Sequence, residues 1–363
     1  MSKKKAVVAM SGGVDSSVAA ALLVEDGYDV TGIMLKLWKG EDQNNNSGCC
    51  SLGAAEDARR VADVLGIPFY VFNFAERFEE TVVADFNATY AAGRTPNPCV
   101  RCNQWIKFDA LLARAKSLGA DVLATGHYAR IDDENGIYRL LRGVDPAKDQ
   151  SYVLWMLTQA QLQHTRFPVG AMPKSETRAI AAELGLRIAA KPDSQEICFV
   201  RNGDVGAYLD EHVPERPGEI VDRSGAKVGT HRGVARYTVG QRKGLGISLG
   251  VPVFVTSLDV EANRVVIGDR DDLLVSSVTL DDVSSVGAPP EPGAEVVAQY
   301  RAHGETVAAT VAATGEGTWK VRIDPPVAAV APGQSMALYR AVAPHDLIGG
   351  GIIAATSRDR VAA

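Results

Sequence analysis

The first two hundred residues alternate between short apolar runs and segments whose apolar residues recur at helical spacing. Residues 5–10 (KAVVAM) form an apolar run that ends in Ser-Gly-Gly, and residues 16–24 have helical spacing. The pattern repeats, predicting strands at 30–35, 69–72 and 122–125 and helices at 54–65, 84–92 and 108–118. Such alternation is typical of an α/β fold with a doubly wound parallel sheet and right-handed crossovers.

The helical period fades after Asp204. Short apolar segments punctuated by glycine and proline follow, at 219–221, 251–258, 263–267, 295–300, 306–313, 318–323 and 335–339. This spacing predicts all-β structure, and the turn cluster GAPPEPG indicates a second boundary. We expect an α/β domain over 1–204, a small central β-rich domain over 205–270 and a C-terminal β-barrel over 271–363.

Composition places the chain among ordinary globular proteins. Its 363 residues are 46% hydrophobic and 23% charged, which excludes disordered, collagen-like and disulfide-scaffold classes. The net charge of −6 argues against a general polyanion binder. The stretch 223–243 contains basic residues and no acidic ones. It indicates either a local patch that faces phosphates or a solvated basic hairpin. Its basic residues are Arg223, Lys227, Arg232, Arg236, Arg242 and Lys243.

Cysteine usage and the first residues bear on the compartment. The five cysteines are odd in number and scattered, and the apolar run 6–10 is too short for a secretory signal or a membrane span. We therefore expect a cytoplasmic protein with no membrane segment. Two polar loops are unusually long for an α/β domain, at 39–51 and 93–102, and Pro96 and Pro98 argue against helix in the second.

The segment Ser11-Gly-Gly-Val-Asp-Ser-Ser17 lies between a predicted strand and a predicted helix. Two glycines there can turn backbone N–H groups toward an anion, and the helix N-terminus adds partial positive charge. No lysine follows the glycines as in a Walker A loop, so transfer of the γ-phosphate is not indicated. The alternative is a tight turn in which Ser and Asp cap the helix.

Cys99 and Cys102 form a Cys-x-x-Cys pair, and Cys198 lies almost a hundred residues further on. A structural zinc site, a redox dithiol and buried apolar cysteines are three interpretations of this set. A zinc site lacks a fourth ligand in the sequence, and an extended loop at 93–102 does not suit a thioredoxin-like motif. A reactive thiol is favoured, with Arg94, Arg101 and Lys107 nearby to stabilise a thiolate.

The SGGVDSS segment resembles the pyrophosphate loop of the ATP pyrophosphatases, which cleave ATP between the α- and β-phosphates. With GRTPNPCxxCN, TGHYAR, KDQSYVLW, KPDSQEICFV and GQRKGLGI in that order, the chain resembles the tRNA-specific 2-thiouridylases from about Val7 to Tyr339. The resemblance implies ATP with Mg²⁺, Asp15 beside the magnesium-nucleotide, and Met34 and Gly126 near the adenine. The nucleotide-binding residues implied are Ala9, Met10, Ser11, Gly12, Gly13, Val14, Asp15, Ser16, Met34 and Gly126.

The same resemblance implies 2-thiolation of the wobble uridine of tRNA. The C2 carbonyl is a poor electrophile, so ATP converts its oxygen into an adenylate leaving group. Cys198 would carry a persulfide received from a cysteine desulfurase or sulfur-relay protein, and Cys102 would be the nucleophile, ending in a Cys102–Cys198 disulfide. Because bridged Cα atoms lie within about 7 Å, we expect the segment bearing Cys198 to fold over the site when tRNA binds.

The resemblance also implies contacts to tRNA, an anticodon loop being readable on its base edges. The residues implied are Asn97, Pro98, Cys99, His127, Lys148, Asp149, Gln150, Tyr300, Arg301 and Gln334. A histidine packed after a strand is the alternative for His127. Cys49 and Cys50 are interpreted as structural or incidental.

One position departs from the family pattern. In the most familiar form of the family, an aspartate occupies the position that is Cys99 in this chain. Cys99, Cys102 and Cys198 could therefore hold an iron-sulfur cluster with one open iron, a rival route to the same product. Two other functions stay open, namely an ATP pyrophosphatase that adenylates a different substrate and a non-catalytic RNA-binding protein.

Overall fold

The computed structural model describes residues 3–37, 52–193 and 197–358. The chain divides into two compact units. The first consists of the described residues up to Val83, of Cys99–Gly203 and of the short piece His345–Ile348. The second consists of Ala84–Pro98, of Asp204–Pro344 and of the described residues from Gly349 onward. Among the described residues, no helix is both long and apolar enough to cross a membrane.

The first unit is built on a five-stranded sheet whose order is β3-β2-β1-β4-β7, with all neighbours parallel. The strands are β1 (Lys5–Ala9), β2 (Asp29–Lys36), β3 (Phe69–Asn73), β4 (Val122–Thr125) and β7 (Thr165–Arg166). A hairpin of β5 (Ala129–Glu134) and β6 (Ile137–Arg142) leaves this sheet, and Asp346 and Leu347 pair with β6. The doubly wound parallel sheet is confirmed.

Helices connect these strands. They are α1 (Val14–Glu25), α2 (Leu52–Leu65), α3 (Ala75–Phe78), α5 (Pro98–Arg101), α6 (Leu112–Ser117), α7 (Gln159–Leu162) and α8 (Lys174–Glu183), with π-helical segments Glu79–Val83 and Cys102–Leu111 and 3₁₀ turns Ser151–Leu154, Pro168–Ala171, Arg187–Ala190 and Arg201–Gly203. Helix α1 is buried on most sides, since it packs on the sheet and on α2 and α8. Val8, Val18, Ala20 and Ala124 lie in that core.

The 93–102 loop differs from its prediction. A helix begins at Pro98 and continues through the π-helical segment, so only the part up to Asn97 is extended. Proline is well suited to the first position of a helix, because that N–H has no intrahelical partner and the fixed φ is helical. Cys99 and Cys102 therefore lie at a helix start. They do not follow a strand, because a helix (α4, Ala84–Ala91) and the loop 92–97 precede them.

The second unit contains α4 (Ala84–Ala91), α9 (Val205–His212), the 3₁₀ turns Val234–Arg236 and Asp271–Leu273, and two β structures. A four-stranded sheet has the order β10-β11-β8-β9. Its strands are β8 (Gly218–Val221), β9 (Lys227–His231), β10 (Phe254–Asp259) and β11 (Arg264–Gly268). Ile220, Val255, Val265 and Ile267 form its core. The β-rich middle part is confirmed.

The last six strands close into an antiparallel barrel. They are β12 (Leu274–Ser285), β13 (Glu295–Gln299), β14 (Val307–Gly315), β15 (Thr318–Ala328), β16 (Ser335–Arg340) and β17 (Ala343–Ser357). The order β12-β15-β14-β13-β16-β17 returns to β12 through the β12–β17 pairing, which leaves no open edge. The predicted C-terminal β-barrel is confirmed.

Candidate nucleotide site and thiol segment

The loop after β1 has the geometry of an anion cradle. Gly12 has φ +70°, and a Cβ there would overlap the carbonyl oxygen of Ala54, so only glycine fits. Gly13 is the extended residue before α1, and its carbonyl accepts hydrogen bonds from the hydroxyls of Ser16 (3.3 Å) and Ser17 (2.8 Å). Ser11 N donates to Ser16 Oγ at 3.1 Å. The first-turn N–H groups of α1 lack intrahelical acceptors and can bind phosphate oxygens.

Gly126 brings the end of β4 against the start of α1. A Cβ on Gly126 would lie 2.5 Å from the backbone N of Ser16 and 2.7 Å from the carbonyl carbon of Asp15. The carboxyl ends of β1 and β4 are neighbours in the sheet, and β1 is where the connections turn to opposite sides. Ligands of doubly wound sheets bind at such a point. The SGGVDSS and TGHYAR segments therefore meet at one edge.

Asp15 lies at the centre of a hydrogen-bonded network. Its Oδ1 accepts from Lys174 Nζ at 2.6 Å and from the Tyr128 hydroxyl at 2.9 Å. The Tyr128 hydroxyl is also hydrogen-bonded to Thr177 Oγ1 at 3.0 Å, and its burial, with the charge of Asp15, raises the pKa of Tyr128 well above its usual value. The backbone of Tyr128 is hydrogen-bonded twice to Gln150, at 3.0 and 2.8 Å. Tyr128 thus stays a neutral donor to Asp15.

Asp193 joins three cations. Its Oδ1 is 2.8 Å from Lys174 Nζ and 3.2 Å from Arg178 Nη2, and its Oδ2 accepts from Lys148 Nζ at 2.9 Å. Burial opposes ionisation of this carboxyl, but hydrogen bonds and charge from Lys174 and Lys148 outweigh it and lower its pKa to about 2. The hydrogen bond to Asp193 in turn raises the pKa of Lys148. Lys174 is therefore shared between Asp15 and an Asp193 that is ionised at neutral pH.

Lys191 makes a second connection to the loop. Its Nζ donates to the carbonyl oxygen of Gly12 at 3.1 Å and to Asp57 Oδ2 at 2.9 Å. In the described part of the chain, the ion pairs around the loop join Lys148, Lys174, Arg178 and Lys191 to Asp15, Asp57 and Asp193. Lysine and arginine side chains thus lie around a cradle for anions. Their positive charge suits a polyphosphate ligand with its magnesium ion.

The other predicted nucleotide residues lie in and behind the loop. Met10 and Met34 are each 2% exposed, within the sheet end, and Val14 is buried as the first residue of α1. Ala9 ends β1 and pairs with Ile33. Contact between Met34 and an adenine stays a prediction.

The three described cysteines are thiols in the first unit. Cys99 is exposed, and Cys102, the first residue of a π-helical segment, is partly buried. Cys198 is partly buried in a turn, followed by Phe199, which packs edge-on against Phe78 with ring centroids 5.8 Å apart. Cys49 and Cys50 lie outside the described residues.

The iron-sulfur alternative lacks a preformed ligand set. Nowhere in the described ranges are three or more His, Cys, Asp or Glu side chains grouped to hold a metal ion. Cys99, Cys102 and Cys198 are thus not assembled as cluster ligands here. The three cations expected near the thiols have other partners. Arg101 stacks on Trp105, Lys107 donates to Asn103 at 2.9 Å, and Arg94 pairs with Asp281 at 3.7 Å.

Of the residues predicted to touch tRNA in the first unit, several support the fold. Asp149 accepts from Arg142 (2.7 Å), from the backbone N–H of Gly143 (3.0 Å) and from Ser151. His127 is buried, hydrogen-bonded to Thr125 at 2.6 Å, and burial with the nearby charge of Lys107 lowers its pKa well below the usual range. This placement matches the packed-histidine alternative. The predicted tRNA contacts of Lys148, Asp149, Gln150 and His127 stay predictions.

In the second unit, Gln334 holds the extended part of the GRTPNP loop. Its side-chain amide donates to the carbonyls of Thr95 (2.9 Å) and Pro96 (3.0 Å). Asn97 is partly buried and Pro98 is buried. Arg301 stacks on Tyr300 at 5.2 Å and donates to the carbonyl of Ala328. Their contacts to tRNA also stay predictions.

The basic stretch 223–243 is largely neutralised. Arg223 pairs with Asp269 and Asp272, Lys227 with Glu219, and Arg232 and Arg236 both with Asp210 and Glu215. Most of it therefore resembles the solvated hairpin more than a phosphate-facing patch. Arg242 and Lys243 are exposed and form no ion pair with described residues.

Sequence reasoning missed the residues that surround Asp15. Lys174, Tyr128, Thr177, Arg178, Lys191 and Asp193 were not predicted. Lys191 and Asp193 belong to the KPDSQEICFV motif and Tyr128 to TGHYAR, so these motifs could have pointed to the three residues. Lys174, Thr177 and Arg178 carry no motif, and only packing of α8 against α1 brings them to the loop.

Comparison with known proteins covers nearly the whole chain. Three domain models match in succession, described as a tRNA methyl transferase HUP domain (residues 4–202), a tRNA methyl transferase PRC-barrel domain (206–269) and an aminomethyltransferase β-barrel domain (275–353). The tRNA-specific 2-thiouridylase MnmA of Mycolicibacterium smegmatis is 51% identical over 343 residues, covering 93% of this chain and 95% of that protein. The protein of the same name from Clostridium perfringens is 46% identical over 359 residues, covering 97% and 99%.

Proposed function

Since the chain belongs to the tRNA-specific 2-thiouridylase family, we propose that it transfers sulfur to C2 of the wobble uridine of tRNA in a reaction driven by ATP. The chain is a tRNA sulfurtransferase by this membership. The finer statements, namely the adenylated intermediate, the persulfide and the residues that act on each, are our proposal. The observation that carries it is the anion cradle Ser11–Gly13, surrounded by cations, in a chain with the PCVRC and EIC cysteine motifs.

ATP supplies the leaving group, with magnesium beside Asp15. The glycine backbone and the N-terminus of α1 would hold the pyrophosphate end, and Lys174 would add positive charge where negative charge builds up as pyrophosphate leaves. Asp15 is already oriented by the Tyr128 hydroxyl and Lys174, so its carboxylate is positioned before the ligand arrives. The uridine O2 attacks the α-phosphorus, and the bond to pyrophosphate breaks.

Sulfur enters at the activated C2. A cysteine desulfurase or a sulfur-relay protein loads Cys198 as a persulfide. The Cys102 thiolate attacks Cys198 Sγ, the persulfide S–S bond breaks, and the terminal sulfur leaves as hydrosulfide. The hydrosulfide adds to C2, and AMP leaves with the original oxygen. The Cys102–Cys198 disulfide formed in this way returns to two thiols by taking two electrons from a thiol reductant.

The domain descriptions and the names of the full-length relatives indicate transfer of different chemical groups. The domain description names methyl transfer, whereas the relatives are named for thiolation. An adenylating loop has no part in methyl transfer, whereas sulfur transfer to a carbonyl needs both an activated oxygen and a thiol. The loop geometry and the cysteine motifs therefore favour sulfur. Thiolation through an iron-sulfur cluster is the second candidate mechanism. The observation that favours it is the cysteine at position 99, which adds a third thiol to Cys102 and Cys198.

The test is nucleoside mass analysis of unmodified tRNA incubated with ATP, a persulfide donor and protein prepared either free of iron or with an anaerobically reconstituted cluster. We expect 2-thiouridine, AMP and pyrophosphate from the iron-free protein. Product only from the reconstituted protein would replace the persulfide route with the cluster route. If neither preparation forms product, the proposal is wrong, and the adenylating loop acts on a different substrate.

A further inference from the structure

The KPDSQEICFV motif contains both the Cys198 thiol and two residues bonded to the nucleotide loop. Lys191 Nζ donates to the Gly12 carbonyl at 3.1 Å, inside the anion cradle. Asp193 shares Lys174 with Asp15, at 2.8 and 2.6 Å. These are two separate connections from one short piece of chain to the phosphate-binding residues.

Cys198 follows Asp193 by five residues, so their Cα atoms are at most about 17 Å apart even in a fully extended chain. On the far side of the thiol, Phe199 and Val200 are 4% and 3% exposed, and Phe199 packs on Phe78. The cysteine is therefore held between an apolar anchor and an ionic one.

Lys174 is the side chain that a bound nucleotide would affect first. Its side chain is 10% exposed, and its ammonium group lies between two carboxylates. A polyphosphate at the loop brings further negative charge and competes with Asp193 for Lys174, while magnesium competes with Lys174 for Asp15. Asp193 would then keep only Lys148 and Arg178. Because ion pairs weaken when one partner is drawn elsewhere, occupancy of the loop loosens the ionic anchor.

We propose that Lys191 and Asp193 are positioning residues that make the reactivity of the Cys198 thiol depend on nucleotide at the loop. Sulfur release would thereby be coupled to the presence of ATP, which limits loss of the persulfide sulfur to water. The inference rests on the proposed function in one respect, since it takes Cys198 as the sulfur carrier.

The experiment measures the rate at which iodoacetamide alkylates Cys198 in the full-length protein, read by mass analysis of its peptide, with and without a magnesium-bound, non-hydrolysable ATP analogue. We expect nucleotide to raise the wild-type rate by at least about fivefold, the lower end of coupling between sites. Asp193→Asn should react at the raised rate in both conditions. Asp193→Glu, which keeps the charge, should retain part of the nucleotide effect.

Asp109→Asn is the matched control, since Asp109 forms a 2.6 Å ion pair with Arg77 away from the loop. It should respond to nucleotide as the wild type does. In a parallel single-turnover assay, Asp193→Asn should lose at least about fivefold more 2-thiouridine formation than tRNA-dependent pyrophosphate release, which reports the adenylation step alone. A merely structural role would lower both together and leave the alkylation ratio unchanged.

The proposed function and the dependence of Cys198 on nucleotide have separate tests. If the wild type makes 2-thiouridine but its alkylation rate ignores nucleotide, the inference is overturned and the proposed function stands. If the wild type makes none with ATP, tRNA and donor, the proposed function fails, and a nucleotide-dependent alkylation rate that is lost in Asp193→Asn would still establish the connection through Asp193.

Discussion

Gly126→Ala tests whether close contact between β4 and α1 shapes the nucleotide site. The backbone of Gly126 is not left-handed, so the substitution adds no φ strain and only space decides its effect. The new Cβ would lie 2.5 Å from Ser16 N and 2.7 Å from the Asp15 carbonyl carbon. That is about 1 Å closer than ordinary contact. Neither atom can turn away, because both belong to the backbone.

The strain must therefore move the start of α1 away from β4 by about 1 Å. Overpacking of this kind costs about 1–3 kcal/mol of stability. A misplacement of about 1 Å at a site that positions reacting groups costs about 100-fold in rate. We expect Gly126→Ala to lose about 100-fold in kcat/KM for ATP while remaining folded.

The assay is tRNA-dependent AMP release at varied ATP concentration, with urea unfolding of the same preparation. Gly53→Ala is the control, since Gly53 lies in α2 and a Cβ there has no heavy atom within 4 Å. It should retain wild-type activity and equal or higher stability, as alanine favours helix. A Gly126→Ala enzyme within threefold or so of this control would refute the reasoning from contact distance.

Three other outcomes follow from the site. Burial opposes ionisation of Asp193, but its hydrogen bonds to Lys174 and Lys148 lower its folded-state pKa to about 2 from the unperturbed 3.8. After a discount for solvent screening, its ionic contribution of about 1–2 kcal/mol is present above about pH 4 and lost as pH falls toward 2. The free energies of unfolding of wild type and Asp193→Asn should converge in that range, and a constant gap would contradict this. Burial lowers the pKa of His127, so His127→Asn should weaken the acid dependence of stability below about pH 6.5, and an unchanged dependence would speak against it. Cys198→Ser should abolish 2-thiouridine formation but leave single-turnover pyrophosphate release within about threefold, because the adenylate forms before sulfur is needed, whereas full thiolation would exclude Cys198 as the sulfur carrier.

Local sequence was enough for the elements with strong periodicity. The strand 122–125 is observed as Val122–Thr125, and most of the β segments predicted after residue 204 end within three residues of the observed strands, for example 263–267 against Arg264–Gly268. The segment 318–323 is five residues shorter than β15, and β9, β12 and β17 were not predicted. A period of two or of 3.6 residues is a local property, so the sequence alone carries it. The loop Ser11–Gly13 is equally local, because φ +70° at Gly12 requires glycine.

Where prediction failed, a local rule was applied too broadly. Pro96 and Pro98 were taken to exclude helix from 93–102, yet Pro98 begins one. The β5–β6 hairpin was missed, although Asn135-Gly136 at its turn, both with positive φ, is a typical hairpin signal. The packing of His127 against Phe108 and Phe167 was not predicted either, while its contact to tRNA, which the resemblance implies, stays a prediction.

The sequence by itself determined the parallel sheet, the β-rich remainder, the anion-binding turn and the presence of thiols, because each depends on residues close together in the chain. Only the tertiary structure decided what surrounds Asp15. Lys174 is 159 residues away from Asp15, and Lys191 is 179 residues away from Gly12. Their contacts arise from packing of α8 and the KPD segment onto the loop, which no local period encodes. Long-range ion pairs depend on where whole elements come to rest, and that is set by burial of the core.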